Sequence, residues 1–324
     1  MRIIFLYAFT SMMINLSGQG LIFDAEEYEK VQPLERTRAD QITDKVSLKI
    51  YTPYTFKQYG NTCVAYSLAT ARTIIYAMQN GLVEKDKISS NLLSPHWIYY
   101  QTKDMNWEGC SSGVNPEKAI KLAMEDGMAR MMHVEHPDFY PFTGNRLCDY
   151  YPPSFNEDAK DAGKWKIDEF YKLKTPEEIK IALTRGDPIM VGMWISNSFR
   201  DSYGADIWQP ESNEEVERSM GHAMIIVGYD ESINGGSFEV LNSWGSEWGD
   251  NGYIWINEKD LMEYQIGFWA LHCELKFGAA PRSHSQSDAI DSIRLNISIP
   301  ESIKNDSLDS VFIRLGKIIE EIKN

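Results

Sequence analysis

Cys63 stands where a helix is predicted to begin and where a thiolate would be stabilised. Three turn-forming residues precede it, Gly60, Asn61 and Thr62. Apolar side chains then recur at three- and four-residue spacing, which predicts a helix from Cys63 to Gln79. With Asn61 or Thr62 as N-cap, Cys63 falls in the first turn, where free N–H groups and the helix dipole favour an anion. Because the thiolate is the nucleophilic form of cysteine, Cys63 is a candidate nucleophile.

A histidine and an asparagine on predicted strands could complete a proton-transfer set with Cys63. His222 starts an apolar strand, and Asn242 ends another short strand further along the chain. A nucleophilic cysteine needs a base within hydrogen-bond reach and a third group that holds the base. We therefore expect His222 to accept the Cys63 proton while the Asn242 amide oxygen fixes the ring tautomer. Gln58 and the Cys63 N–H would supply the oxyanion donors.

A structural interpretation of the cysteine has to be weighed against the catalytic one. A lone cysteine is more often a small buried apolar residue or half of a disulfide than a nucleophile, so the catalytic interpretation depends on His222 and Asn242. The other histidines have no spacing typical of metal ligands, and we predict neither a metal nor a cofactor. These histidines are His96, His133, His136, His272 and His284.

Composition and charge restrict the class of protein and its partners. The 324 residues are 43% hydrophobic and 24% charged, which is typical of a globular protein with one large or two small domains. A net charge of −15 argues against nucleic acid or an anionic membrane as the main partner. No interior stretch is long and apolar enough to span a bilayer, so we expect no integral membrane anchor.

The N-terminus has the layout of a secretory signal peptide. A short basic start precedes an apolar run, and small or polar residues follow before the first acid, Asp24. We predict a signal peptide at residues 1–20 with cleavage near 17–20; the alternative is a buried first helix. Export would place the chain where disulfides form. Residues 21–46 are charged and weakly patterned, which indicates a lead-in segment and a candidate short prosegment.

The predicted elements are helical in the first half and strand-rich in the second. Two further helices are predicted, one that begins after Ser94-Pro95 and reaches Lys103, and one from Glu117 to Met128 that has Pro116 at its first position behind Asn115. One later helix, from residue 173 to 183, has Thr175 as its cap. The β-prone runs are residues 46–51, 188–195, 223–227, 237–241 and 252–256. This order predicts an α+β fold of two packed lobes with a site in the cleft between them.

The C-terminal region differs in composition from the rest. Residues 283–288 are polar and indicate a linker, and apolar positions from Leu308 to Ile322 then form one stripe of an amphipathic helix. We therefore divide the chain into the signal peptide, the lead-in at 21–46, a catalytic domain at 47–277, and the linker and helix at 278–324.

Five segments, in order along the chain, resemble the papain-like cysteine peptidases, the papain and cathepsin family. Residues 58–67 are similar to the nucleophile segment, and residues 108–113 to the glycine-rich loop beside the substrate backbone. Residues 140–148 resemble the Tyr-Pro-Tyr crossover and residues 221–230 the histidine strand. The asparagine segment, which begins Asn242-Ser243-Trp244-Gly245, is the most specific match.

The resemblance implies a papain-like two-lobe fold, with a helical left lobe, an antiparallel β-barrel-like right lobe and the active site in the cleft between them. It implies hydrolysis of peptide bonds through an acyl-enzyme. Cys63 would be the nucleophile, His222 the base and then the acid, and Asn242 the residue that orients the base. Gln58 would help to form the oxyanion hole.

The resemblance also implies which residues contact the substrate. Gly113 would lie beside the substrate backbone, and Ser112 and Gly221 would line the same site. Trp244 would cover the hydrogen bond between the base and its orienting residue. Side-chain specificity depends on an apolar pocket in the right lobe whose lining cannot be ranked from sequence. Its candidates are residues 189–193, Met220 and residues 265–268.

This chain departs from the family pattern around its nucleophile. Gln58 precedes Cys63 by one position fewer than is usual, and Val64 replaces the tryptophan that usually follows the nucleophile. The separation of Cys63 and His222, 222 − 63 = 159, exceeds the roughly 130–150 of the family, and we expect residues 196–219 to hold part of the excess.

The cysteines that remain also differ from the family. Gly60 and Lys103 stand where relatives have the disulfide partners of Cys110 and Cys148. These two cysteines could pair with each other, a geometry that sequence alone leaves open.

We therefore expect a secreted or exported cysteine protease that acts as a monomer on peptide or protein substrates through a thiolate–imidazolium pair. Two alternatives stay open: an exopeptidase or transferase on the same scaffold, and a catalytically inactive protein that binds peptides. An element that blocks one end of the cleft would mark an exopeptidase. Reaction of Cys63 with a thiol-directed epoxysuccinyl inhibitor would separate an enzyme from a binding protein.

Overall fold

The computed structural model describes residues 20–107, 109–131, 160–212, 214 and 216–274. The chain divides into two units, residues 1–283 and 284–324, and the second lies outside the described residues. The predicted signal peptide up to residue 19, the crossover at 140–148, Cys148 and the C-terminal helix also lie outside them, so these remain predictions. None of the described helices is both long enough and apolar enough to cross a membrane.

Most of the described helices lie in the first half of the chain, as the sequence predicts. They are α1 (Ala25–Lys30), α2 (Cys63–Gln79), α3 (Lys85–Ser89), α4 (Pro95–Thr102), α5 (Pro116–Glu125), α6 (Pro176–Arg185), α7 (Asn197–Arg200) and α8 (Glu258–Tyr264), with a 3₁₀ turn at Lys49–Tyr51. Helix α2 is the longest, and apolar side chains line nearly every turn of its buried surface. A helix buried on most sides is the central element of the helical lobe.

The described strands form one sheet, and all but the first lie in the second half of the chain. They are β1 (Lys45–Ser47), β2 (Glu169–Leu173), β3 (Ile189–Ser196), β4 (Ile207–Trp208), β5 (Val216–Asp230), β6 (Ser237–Leu241), β7 (Tyr253–Asn257) and β8 (Gln265–His272). Their order is β2-β8-β3-β5-β6-β7-β4, with β1 paired to β5. Pairing is antiparallel, as expected for the right lobe, except that β4 pairs with β7 in parallel.

Local chemistry explains why some elements end where the sequence predicts. Thr175 accepts from the N–H of Glu178, whose side chain returns to the Thr175 N–H, so α6 begins with a complete capping box. Gly186, at φ 92°, ends that helix in the left-handed conformation that glycine tolerates. The prediction that this helix starts at Leu173 is wrong, because Leu173 pairs with Phe268 as the last residue of β2.

Two other predicted boundaries need correction. Strand β1 is shorter than the β-prone run that predicted it, because a 3₁₀ turn begins at Lys49. Helix α5 ends at Glu125 rather than Met128, since Gly127 adopts φ 80° and breaks the helical conformation.

The site lies where the helical lobe meets the sheet. Helix α2 packs against β5, so the first residue of α2 comes close to the first half of that strand. The 196–219 loop, predicted to hold extra length, contains α7 and β4, and its Phe199 packs edge-on against Trp208. These contacts place an aromatic layer next to the cleft.

The lead-in segment follows the surface of the sheet rather than standing apart from it. Tyr28, in α1, is buried with Val31 and Leu34, and the Tyr28 hydroxyl donates to the carbonyl of Leu173 at 3.3 Å. Further on, Arg185 forms a two-pronged ion pair with Asp40. Residues 28–40 therefore pack as part of the right lobe.

Candidate active site

Cys63 is the first residue of α2 and is fully buried. Thr62 occupies the N-cap position, but its hydroxyl donates to the carbonyl of Tyr59 at 2.7 Å and does not cap the helix. Thr62 therefore stands at the predicted N-cap position, but its side chain makes no capping hydrogen bond. The N–H groups of the first turn stay available for a group that arrives in the cleft.

The Cys63 thiol is protonated in this arrangement. Burial raises the pKa of the thiol to about 11, and the backbone N–H groups of Ala223 and Gly20 lower that pKa to a smaller extent. Ala223 directly follows His222, so the thiol lies beside the histidine segment. The thiolate predicted from the helix N-terminus is not the favoured form while the cleft is closed.

His222 and Asn242 lie side by side on β5 and at the end of β6. The distance from His222 Nε2 to Asn242 Oδ1 is 2.8 Å, and both residues are buried. An amide oxygen only accepts, so the ring must carry its proton on Nε2 and leave Nδ1 as the acceptor. Asn242 Oδ1 also accepts from the N–H of Ser243 at 2.7 Å, which holds the amide in this orientation.

Trp244 stacks on the imidazole ring of His222. The two ring centroids are 4.6 Å apart and the rings are inclined by 28°. Trp248 and Phe199 pack edge-on against the other sides of Trp244. This aromatic layer excludes water from the hydrogen bond between His222 and Asn242, which strengthens it.

Gln58 is buried next to the same strand end. Its backbone N–H donates to the carbonyl of Ser243 at 2.7 Å, and its Oε1 accepts from the Ser243 hydroxyl at 2.6 Å. Its Nε2 donates to the carbonyl of Gly60 at 2.8 Å. An amide nitrogen carries two N–H bonds, so one donor is left for an oxyanion. The displaced sequence position of Gln58 therefore does not remove it from the site.

The glycine-rich loop presents backbone rather than side chains to the cleft. The Ser112 hydroxyl donates to the Gly113 carbonyl at 2.8 Å and accepts from the N–H of Asp104 at 3.0 Å, so this side chain is engaged within the loop. A Cβ added to Gly113 would lie 2.7 Å from the Ile22 side chain. Gly113 is thus in contact with the chain segment that occupies the cleft.

That occupant is residues 20–22, here named the cleft segment. The N–H of Val114 donates to the carbonyl of Gly20 at 2.7 Å, and the N–H of Ile22 donates to the carbonyl of Val114 at 3.0 Å. On the opposite wall, Leu21 and Gly221 exchange two backbone hydrogen bonds of 2.8 and 3.2 Å. The cleft segment therefore bridges both walls of the cleft.

The sequence did not indicate the pairing of Val114 with the cleft segment. The apolar run Leu21-Ile22-Phe23, directly before an acidic run, is the available signal, but it lies at the boundary of the predicted signal peptide. Gly20 was assigned to that peptide. Pairing between residues so distant in sequence depends on the tertiary fold, which no local pattern specifies.

The remaining candidates lie outside this cluster. His272 Nδ1 is 2.8 Å from Asp187 Oδ1 at the far end of β8. Cys273 is free and buried, and Cys110 is disulfide-bonded. The pairing of Cys110 with Cys148 stays a prediction. Within the described ranges, no group of His, Cys, Asp and Glu has the arrangement of a metal site.

Comparison with known proteins places this cleft in a family. A family model described as "Papain family cysteine protease" matches residues 47–270. The chain belongs to this family. The match covers both the predicted nucleophile segment and the asparagine segment, and it begins at residue 47, where the predicted catalytic domain begins.

Relatives within the papain family are distant. The rice protein "Oryzain gamma chain" (Oryza sativa subsp. japonica) is 26% identical over 202 residues, which cover 62% of this chain and 48% of the relative. An "Uncharacterized peptidase C1-like protein" of Acanthamoeba polyphaga mimivirus is 37% identical over 213 residues, covering 62% of this chain and 66% of the relative. The chain thus spans about half to two thirds of the length of these relatives.

A solved structure confirms the papain-like fold. Xylellain, a cysteine protease from Xylella fastidiosa, superposes with a TM-score of 0.65 and 24% identity over 80% of this chain and 97% of xylellain. At this identity the likeness establishes the two-lobe α+β architecture, which the sequence predicted.

Proposed function

We propose that this chain is a secreted cysteine endopeptidase with Cys63 as nucleophile, His222 as base and then acid, and Asn242 as the orienting residue. The observation that carries the proposal is the 2.8 Å hydrogen bond between His222 and Asn242, on the cleft wall next to Cys63. Such an arrangement of nucleophile, base and orienting group serves acyl transfer.

The ring tautomer determines the direction of proton transfer. With Nε2–H donating to Asn242, Nδ1 of His222 takes the proton of the Cys63 thiol. The thiolate sulfur attacks the peptide carbonyl carbon, and the imidazolium then returns its proton to the leaving amine as the C–N bond breaks. Water hydrolyses the resulting thioester with His222 again as base, which regenerates the thiol.

The negative charge that develops on the carbonyl oxygen of the substrate needs hydrogen-bond donors close to that oxygen. The N–H of Cys63 lies at the positive end of α2, and Gln58 keeps one free amide N–H nearby. We assign these two groups to the oxyanion hole. Fixed donors of this kind lower a barrier by about 2.7–4 kcal/mol each.

The substrate backbone would use the groups that now pair with the cleft segment. Val114 and Gly221 offer backbone N–H and carbonyl groups on opposite walls of the cleft. An extended peptide paired with these groups gains main-chain hydrogen bonds that do not depend on its sequence. Gly113 lets the chain approach closely, since a Cβ there would meet the occupant of the cleft.

The proposed export is supported by the basic and apolar N-terminal run of the sequence. Expression in a eukaryotic host with N-terminal sequencing of the medium tests this part. Recovery of the chain in the medium after cleavage near residues 17–20 is expected. Retention in the cells with residue 1 intact would contradict it.

A matched pair of cysteine variants tests the enzymatic proposal. Hydrolysis of a peptide library is measured for the chain, for Cys63→Ala and for Cys273→Ala, each before and after limited proteolysis of residues 20–44. Cys63→Ala should abolish turnover and labelling by an epoxysuccinyl inhibitor, whereas Cys273→Ala, which alters another buried free thiol, should keep both. Unchanged folding is checked by circular dichroism.

The outcomes distinguish the alternatives. Hydrolysis that survives Cys63→Ala would place the nucleophile elsewhere. Labelling of Cys63 with release of single residues or dipeptides would indicate an exopeptidase, and labelling without any cleavage a transferase. Peptide binding without labelling, in the proteolysed protein as well, would indicate an inactive binding protein.

A further inference from the structure

A single carboxylate closes the loop between β3 and β5. Glu214, two residues before β5, accepts from the backbone N–H of Ser198 at 2.5 Å and from the Ser198 hydroxyl at 2.7 Å. It also accepts from the backbone N–H of Glu211 at 3.3 Å. Hydrogen bonds to an ionised acceptor are roughly twice as strong as neutral ones. Glu214 thus holds the start of α7 against the strand that carries His222.

The Ser198 hydroxyl extends this connection to Trp208. It donates its proton to Glu214, and its oxygen accepts from the indole N–H of Trp208 at 2.9 Å. Trp208 is only 2% exposed, so its N–H needs an acceptor within the protein. The carboxylate therefore fixes the orientation of the hydroxyl and, through the hydroxyl, that of the indole.

Phe199, the residue after Ser198, is fully buried at the centre of the aromatic layer. Its ring is edge-on to Trp208 at 5.1 Å and to Trp244 at 5.9 Å. Its carbonyl accepts from the indole N–H of Trp248 at 3.1 Å. A rotation of the backbone at residues 198 and 199 would therefore displace the rings that surround Trp244.

Trp244 connects the aromatic layer to the imidazole of His222. It stacks on that ring, while Phe199 and Trp248 pack edge-on against it. The layer keeps water away from the hydrogen bond between His222 and Asn242. A loosened layer would admit water to the Asn242 oxygen and weaken the bond that sets the ring tautomer.

We propose that Glu214 is a positioning residue for the His222–Asn242 pair, acting through Ser198 and Phe199. The inference rests on the proposed function, since it adds a residue to the support of the same site. The hydrogen bonds that Glu214 makes with described residues all lie within the loop, so it acts on the pair only through other residues.

Glu214→Ala tests the proposal, because it leaves both Ser198 donors without their acceptor. The protein is the full chain with Cys63→Ala, which prevents self-digestion, and it carries isotope-labelled histidine and tryptophan. Nuclear magnetic resonance measures how fast the Nε2 proton of His222 exchanges with water at pH 7, and His222→Gln assigns the signal. The exchange rate should rise by at least about tenfold, because opening the layer no longer breaks a charge-assisted hydrogen bond.

Three further variants test the route from Glu214 to the imidazole. Ser198→Ala keeps the backbone N–H contact and loses the hydroxyl, so exchange should rise less than in Glu214→Ala. Combining the two changes should add little, since both break the same connection. Glu214→Asp keeps the carboxylate and should restore part of the protection. If Glu214→Ala does not fold, Ser198→Ala and Glu214→Asp make the same comparison.

Glu211→Gln is the matched control. It removes a carboxylate from the same loop, its side chain is exposed, and its backbone N–H is retained. Exchange at His222 should stay at the level of the parent chain. The indole N–H signals of Trp208 and Trp248 report the loop itself in the same samples, and both should exchange faster in Glu214→Ala.

Kinetics separate positioning from a loss of stability. In protein treated by limited proteolysis of residues 20–44, Glu214→Ala should lower kcat by about ten- to hundredfold while KM stays within about twofold. Glu214→Asp should recover part of kcat, and Glu211→Gln should retain all of it.

Each outcome supports or overturns a defined part. Faster exchange at Trp208 and Trp248 with an unchanged His222 signal would make Glu214 a loop stabiliser and overturn the proposal. Equal exchange at all three groups in Glu214→Ala and Glu211→Gln would overturn the connection itself. Faster His222 exchange in a chain that hydrolyses no peptide, even with Cys63 intact, would keep the positioning role and reject the proposed function.

Discussion

At the scale of single residues, Asn242 shows how a buried polar group is used at the site. Its Oδ1 accepts from both His222 and the Ser243 N–H, while its Nδ2 is buried with no partner among the described residues. A buried unpaired N–H costs about 1–3 kcal/mol. Such a cost is tolerated where the orientation serves function, and here that orientation holds the proton on Nε2 of His222.

Asn242→Ala should lower kcat by about 10²–10⁴-fold with a small change in KM, because the imidazole loses the partner that selects its tautomer. Steady-state kinetics over pH 5–9 measure the effect, in protein treated by the same limited proteolysis of residues 20–44 that the test of the enzymatic proposal uses. Asn80→Ala, at the opposite end of α2, is the control and should leave kcat unchanged. A large rise in KM at constant kcat would show that Asn242 binds substrate instead.

Ile266→Ala should change which side chain the apolar pocket of the right lobe accepts. The side chains of Ile266 and Leu21 would lie 2.3 and 3.2 Å from a Cβ added to Gly221, so truncation of Ile266 extends the space next to the leucine side chain. We expect the ratio of kcat/KM for a peptide with phenylalanine to kcat/KM for the same peptide with leucine to rise about tenfold. The peptides of each matched pair differ only at the residue that enters this pocket. Ile207→Ala, an exposed isoleucine, should leave the ratio unchanged. An unchanged ratio in Ile266→Ala would place the specificity pocket elsewhere.

At the scale of elements, the sequence predicts the ends of helices and strands better than it predicts pairing between distant segments. The ends of α2 and β6 match their predictions because apolar periodicity and turn residues lie within the elements themselves. Leu173 was misassigned to a helix because its pairing with Phe268 is a tertiary contact. The cleft segment escaped prediction for the same reason: its partners, Val114 and Gly221, are distant in the chain.

His272 should make stability depend on pH at the end of β8. The hydrogen bond to Asp187 raises the pKa of His272, so the folded state binds its proton more tightly than the unfolded state. This stabilisation is complete below about pH 6.5 and is lost as the pH rises through the folded pKa. His272→Gln should therefore cost about 1 kcal/mol at pH 5.5 and less above pH 8.

Thermal unfolding at pH 5.5 and 8.5 measures this difference. The two proteins compared are Cys63→Ala and Cys63→Ala with His272→Gln, because the Cys63 change prevents self-digestion. Burial raises the pKa of Asp187 as well, and this also makes stability fall with rising pH. Asp187→Asn should therefore flatten the profile further. An equal effect of His272→Gln at both pH values would refute the linkage.

At the scale of the whole molecule, the two lobes meet through a buried carboxylate. Glu117 on α5 accepts a 2.8 Å hydrogen bond from the indole N–H of Trp269 on β8. Its second oxygen is buried and has no partner among the described residues. Tyr28 packs edge-on against the same indole at 5.3 Å, so the lead-in segment and the junction between the lobes share Trp269.

Glu117→Gln should stabilise the protein more as the pH rises. Burial raises the pKa of Glu117, so ionisation costs more in the folded state than in the unfolded one. The stability of the unaltered protein is therefore highest below the unfolded pKa of about 4.3 and falls as the pH rises toward the folded value. Glutamine keeps the acceptor for Trp269 without the charge, and a gain of about 1 kcal/mol is expected at pH 7.5.

Urea unfolding at pH 4.0, 5.5 and 7.5 measures that gain in stability. The two proteins compared are Cys63→Ala and Cys63→Ala with Glu117→Gln. The two proteins should differ little at pH 4.0 and diverge above it, since glutamine replaces a carboxyl that is neutral at low pH. Glu125→Gln, on the same helix and exposed, serves as the control and should give no trend. A difference that does not depend on pH would mean that Glu117 has the same pKa in the folded and unfolded states, which would contradict the pKa rise by burial.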